Sequence, residues 1–99
     1  MDERMETLAN TLTLDHAEIK VMEEMAELQQ VICQYQLMAH GGFAKAPEVD
    51  FHKKLVEELA HVKMWLDILQ YDHKITNEEI RHEQDKKIEF LCKMFDIRV

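Results

Sequence analysis

The sequence predicts an all-α protein, an antiparallel bundle of three main helices completed by oligomerisation. Three observations carry that expectation. Only 2 glycines and 1 proline occur among 99 residues, and all fall between Gly41 and Pro47, so turn-formers are too scarce for a sheet of short strands. Leu55, Leu59, Val62, Leu66 and Leu69 recur at alternating spacings of four and three, the stripe of a helix that buries one face. Thr76 and Glu79 have the spacing of a capping box at the start of a further helix.

The elements follow in order. Met1 to Thr13 carries a weak helical pattern through Met5, Leu8 and Leu12. A long helix is expected from near Asp15, which can cap it, to about His40, ending at the Gly41-Gly42 pair. The segment GGFAKAPEV reads as a loop. A second helix should run from Glu48 or Asp50 to about His73. A third should start at Thr76 and continue through Ile80, Ile88, Leu91 and Phe95 nearly to the end of the chain. With no linker and no low-complexity stretch, residues 1–99 form a single domain. Past Leu59 the second helix is apolar on nearly all sides, as a helix buried all round would be. Three helices offer too little cover for it, so a homodimer or homotetramer is expected.

Charge and composition narrow the function. The chain has 12 Lys+Arg against 20 Asp+Glu, a formal net charge of -8, which argues against a sequence-independent grip on nucleic-acid phosphates. No apolar run approaches the roughly 20 residues of a membrane span. The opening MDERMETLAN lacks the basic-then-apolar layout of a signal peptide. Cys33 and Cys92 lie far apart with no metal-binding spacing, which suits free thiols in a cytoplasmic protein.

An internal echo then locates the chemistry. Lys20-Val-Met-Glu-Glu24-Met-Ala-Glu27 matches Lys54-Leu-Val-Glu-Glu58-Leu-Ala-His61 at an offset of 34 residues. The midpoint lies close to Gly42 and Phe43, so an antiparallel hairpin would set the two motifs level. At about 100° per residue, Glu58 falls in the middle of the stripe of Phe51, Leu55, Val62 and Leu69, and Glu24 falls among Val21, Leu28, Val31 and Tyr35. A carboxylate inside an apolar stripe is costly without a positive partner, and two on facing helices also repel. A divalent cation such as Mg²⁺ answers both problems, and Glu-x-x-Glu puts two ligands one turn apart on one face. Glu24, Glu27 and Glu58 are the candidate ligands, with His61 as a fourth. The same residues also allow ordinary helix-surface pairs, Lys20 with Glu24 and Lys54 with Glu58.

The order of these motifs, followed by a helix opening Ile-Thr-Asn-Glu-Glu-Ile, resembles the short MazG-like all-α nucleoside triphosphate pyrophosphohydrolases over about Asp15 to Leu91. The resemblance implies cleavage of (d)NTPs between the α and β phosphates, giving a nucleoside monophosphate and pyrophosphate. It implies Mg²⁺ (or Mn²⁺) on Glu24, Glu27, Glu58 and position 61, with Glu24 or Glu27 as general base. It also implies an oligomer with sites near subunit contacts. Lys87, with Lys86 beside it, matches a phosphate-gripping position, although Glu89 and Phe90 stand where Asn and Arg are expected. Trp65, Tyr35 and Phe51 are candidates for a base pocket, and the same stripe also fits a core. His61 stands where the family pattern has Asp. Imidazole suits Mn²⁺, Zn²⁺ or Ni²⁺ better than Mg²⁺, so either the metal preference has shifted, or the ion is held weakly, or catalysis is lost. In the last case the fold would serve as a nucleotide-binding or protein-interaction module.

Overall fold

The computed structural model describes residues 1–40 and 50–98, and four α-helices account for most of them: α1 (Glu3–Thr11), α2 (Leu14–Ala39), α3 (Phe51–Asp72) and α4 (Asn77–Met94). The weak amphipathic pattern at the start does form a helix, so α1 joins the three expected long ones. The expected GGFAKAPEV loop and the Gly41-Gly42 stop lie outside the described residues.

Each helix starts at a side-chain cap. Asp2 accepts from the Arg4 amide at 2.7 Å, and Asp50 from the Lys53 amide at 3.1 Å. Thr76 and Glu79 complete the capping box in both directions. For α2 the cap is Thr13, which accepts from the His16 amide at 3.2 Å, and not Asp15. Thr13 is the last extended residue before the helix, as a cap must be. Asp15 lies inside the first turn, where its charge meets the positive end of the helix dipole.

Two helix ends are made without glycine. Lys74 (φ 55°) follows α3 and Asp96 (φ 54°) follows α4. After α3 the Ile75 amide donates to the Gln70 carbonyl and the Lys74 amide to the Tyr71 carbonyl, the paired bonds of a Schellman turn. The α4 end repeats the pattern with Ile97 to Cys92 and Asp96 to Lys93. A left-handed residue with a Cβ costs roughly 1–2 kcal/mol. At the first turn Gln70 offsets this by donating to the Ile75 carbonyl and to Asn77 Oδ1.

α2 and α3 form the frame. Glu18 meets His73 at 3.1 Å, Glu24 meets His61 at 3.6 Å, and the Tyr35 and Phe51 rings meet edge to face at 5.8 Å. Partners descend α3 as they ascend α2, which defines an antiparallel pair with the two echo motifs level. α1 lies against α3, with Tyr71 donating to Asn10 Oδ1 at 3.2 Å. The core sits where these three helices meet: Ala9, Ala17, Val21, Trp65 and Ile68, with Met5, Leu8, Leu12, Met64 and Leu69 packed around it.

Within one chain this core is small. α3 buries Val62, Trp65 and Ile68, while Leu59 and Leu66 remain 39% and 41% exposed. The expected all-round burial past Leu59 is therefore absent in the single chain, where α1 and α2 supply the main cover of α3 among the described residues. α4 has no buried residue and no comparable partner among the described residues. Ile88, Phe90, Met94 and Phe95 are all half exposed or more. The radius of gyration is 17.5 Å, against about 13 Å for a compact domain of this length. No helix is long and apolar enough to cross a membrane among the described residues.

Ile68 is fully buried at the junction of the three helices. Ile68→Ala should lower unfolding stability by about 2–5 kcal/mol, read as a lower urea midpoint. A loss below about 1 kcal/mol would mean that the junction does not hold the fold together.

Candidate metal centre

Glu24 projects from the middle of α2, and Glu58 and His61 from the facing turn of α3. Both glutamates occupy stripe positions because a residue every third or fourth place returns to the same helix face. One oxygen from each glutamate and one imidazole nitrogen lie within 4.8 Å of one another. His61 Nδ1 is 3.6 Å from Glu24 Oε2 and 4.0 Å from Glu58 Oε2.

The carboxylates are shielded and short of partners. Glu24 is 9% exposed and is the buried charged residue of the core face. The Glu24 and Glu58 side chains are nearly covered, while that of His61 is half exposed. Among the described residues, Glu24 Oε2 and Glu58 Oε2 are buried with no hydrogen-bond partner. Burial pushes the Glu24 carboxyl above its ordinary value, and the adjacent Glu27, by charge and hydrogen bond, adds to the rise. Glu58 pushes the same way and His61 opposes it.

Simple helix-surface pairing does not relieve this. Lys20 turns to Glu23 at 3.1 Å, not to Glu24, and that bond is the main reason its ammonium holds its proton more tightly than usual. Lys54 makes no ion pair with Glu58 among the described residues. Two unpartnered oxygens and an imidazole nitrogen thus converge from two helices, a donor set that fits a divalent cation.

The other expected site residues divide. Glu27 is exposed beside Glu24, outside the converging group of three. Trp65 lies two turns beyond Glu58 on α3 and packs in the core against Ala9, Ala17 and Val21. Burying a large ring where three helices meet takes precedence there over lining a pocket. Lys86 and Lys87 are exposed on α4 and find partners on their own helix: Glu83 at 3.3 Å for Lys86, and the Phe90 ring at 5.2 Å for Lys87. Within one chain they are not brought to the acidic group.

Between α2 and α3 is a cavity of about 480 Å³ lined by Val31, Ile32, Tyr35, Phe51, His52 and Leu55. Tyr35 and Phe51 were legible as aromatic candidates. His52 and Ile32 were not, since neither shares the stripe of Glu24 or Glu58. Leu55 precedes Glu58 by one turn and Val31 follows Glu24 by two, so the cavity's nearest lining lies one to two turns from the acidic group.

No protein-family model matches the chain, and no curated protein or solved structure matches it.

The raised Glu24 carboxyl fixes the sign of a pH effect in metal-free protein. The folded state binds this proton more tightly than the unfolded state, so its contribution to stability is present below the ordinary value of 4.5. That contribution is lost as pH rises through the folded value. Glu24→Gln should remove this part of the dependence and raise the urea midpoint at neutral pH. An unchanged or lower midpoint at neutral pH would show that the buried charge carries no penalty.

Proposed function

We propose that this chain is a metal-dependent nucleoside triphosphate pyrophosphohydrolase, converting (d)NTPs to nucleoside monophosphate and pyrophosphate in the cytoplasm. One observation carries the reading: two buried carboxylate oxygens without partners converge with His61 Nδ1 from two level motifs. The motif order resembling the MazG-like hydrolases supplies the reaction class.

Glu24, Glu58 and His61 would hold the cation, with Glu27 at the rim. A bound divalent ion neutralises phosphate charge and lowers the pKa of water in its shell. The chain's own part is positional. Glu24 is buried and surrounded, which suits a ligand. Glu27 is exposed beside it, which suits a base that orients water toward the α phosphorus and takes its proton. The cavity of Tyr35, Phe51 and Leu55 can take an apolar, flat group next to the phosphates, and this replaces Trp65 as the base-binding candidate. Lys86 and Lys87 reach a triphosphate in this reading only if a second copy brings its α4 across the site.

The exposed apolar side chains of α4 support that second copy. A homodimer or homotetramer would cover Phe90, Phe95 and the open side of α3 near Leu59 and Leu66. The alternative is a non-catalytic module that keeps the fold and binds nucleotide or protein. His61, in the position where the resembling family has Asp, favours it.

Metal-free protein incubated with a panel of (d)NTPs and Mg²⁺, Mn²⁺ or Zn²⁺ should release pyrophosphate. Glu58→Gln should reduce the rate on the order of 100-fold. No release with any metal would overturn the hydrolase reading in favour of the module. Light scattering at micromolar concentration should give a multiple of the 11.8 kDa chain mass, and Phe90→Glu should move it toward the monomer. A wild-type mass of one chain would overturn the oligomer.

A further inference from the structure

The inference deepens the reading above, resting on the same side chains as a metal site but not on hydrolysis. We propose that Glu24, Glu58 and His61 form a three-ligand site for a Zn²⁺-class transition ion, with an open coordination position, and that Mg²⁺ is not its preferred metal.

The donor set comes first. Mg²⁺ takes a near-ideal octahedron of oxygens and dehydrates reluctantly. An imidazole nitrogen among two carboxylates moves preference toward borderline transition ions. His61 is not an incidental neighbour, because Nδ1 faces the oxygens of both glutamates.

Spacing leaves room for an ion: separations of 3.6 Å and 4.0 Å are too long for direct N–H···O hydrogen bonds, and the three ligand atoms lie within 4.8 Å of one another.

Burial is the independent observation. The Glu24 side chain is only 12% exposed, and its Oε2, buried and without a hydrogen-bond partner among the described residues, lies 3.6 Å from His61 Nδ1 within the group. The nearest ammonium on its own helix, Lys20, is taken by Glu23. An unpaired buried carboxylate of this kind is expensive. Three protein ligands leave a fourth tetrahedral position for water or a phosphate oxygen, the arrangement of catalytic rather than structural zinc sites. Glu27, outside the group, is left free for chemistry.

The test uses the full chain stripped of metal. Calorimetric titration with ZnCl₂, MnCl₂ and MgCl₂ should give one Zn²⁺ per chain. His61→Asp should lower the Zn²⁺-to-Mg²⁺ affinity ratio by about 10-fold or more. His61 is half exposed, so the variant should fold, and circular dichroism of the metal-free form checks this. Co²⁺ should give the intense visible bands of a tetrahedral site in the wild type and lose them in His61→Ala. Weak octahedral bands, or Zn²⁺ binding unchanged in His61→Ala, would overturn the proposal; the latter would place the ion on another histidine. Tight His61-dependent Zn²⁺ binding without pyrophosphate release upholds this site and removes the hydrolase reading. Release that runs on Mg²⁺ and is unaffected by His61→Ala upholds the hydrolase and removes this inference.

Discussion

Two carboxylates face each other across the α2–α3 interface, and the rest of the molecule is arranged around that repulsion. Glu24 and Glu58 occupy positions where a packed helix pair would ordinarily place leucine or valine. Their buried oxygens have no hydrogen-bond partner among the described residues, so the middle of the hairpin contributes unfavourable electrostatics where it should contribute burial. Stability has to come from either side. Toward α1 it comes from Ala17, Val21, Trp65 and Ile68. Toward the other end it comes from the edge-to-face contact of Tyr35 with Phe51. A cation between the carboxylates would turn the weakest part of the interface into a link between the two helices.

The same constraint explains where large side chains go. Trp65 packs at the α1 end, in the core of Ala9, Ala17, Val21 and Ile68. With that ring committed to packing, the aromatic groups left near the acidic cluster are Tyr35 and Phe51, which border an open cavity.

α4 stands apart from this hairpin. Its start is fixed by the capping box and by Gln70, which bonds across the α3–α4 turn. Among the described residues Ile88, Phe90, Met94 and Phe95 stay half exposed or more, and the radius of gyration exceeds that of a compact domain of this length.

Much of this was legible in the sequence. The three long helices follow from apolar period and the capping box at Thr76, because those signals are local and act within a turn or two of chain. The level placement of the echo motifs followed from their symmetric distance about the hairpin centre. Glu24, Glu58 and His61 were readable because carboxylates at stripe positions violate the pattern around them. The Thr13 cap, the non-glycine helix ends at Lys74 and Asp96, and the fate of Trp65 were not. Each depends on which of several locally acceptable options the packing selects. Sequence determined the long helices and set Glu24 and Glu58 among apolar stripe positions, since period and polarity are properties of the chain alone. Only tertiary structure decided that Glu27 stays outside the cluster, that Lys20 bonds Glu23, and that Lys86 and Lys87 do not meet the site within one chain. Those outcomes turn on distances of a few ångströms between helices, which no one-dimensional pattern encodes.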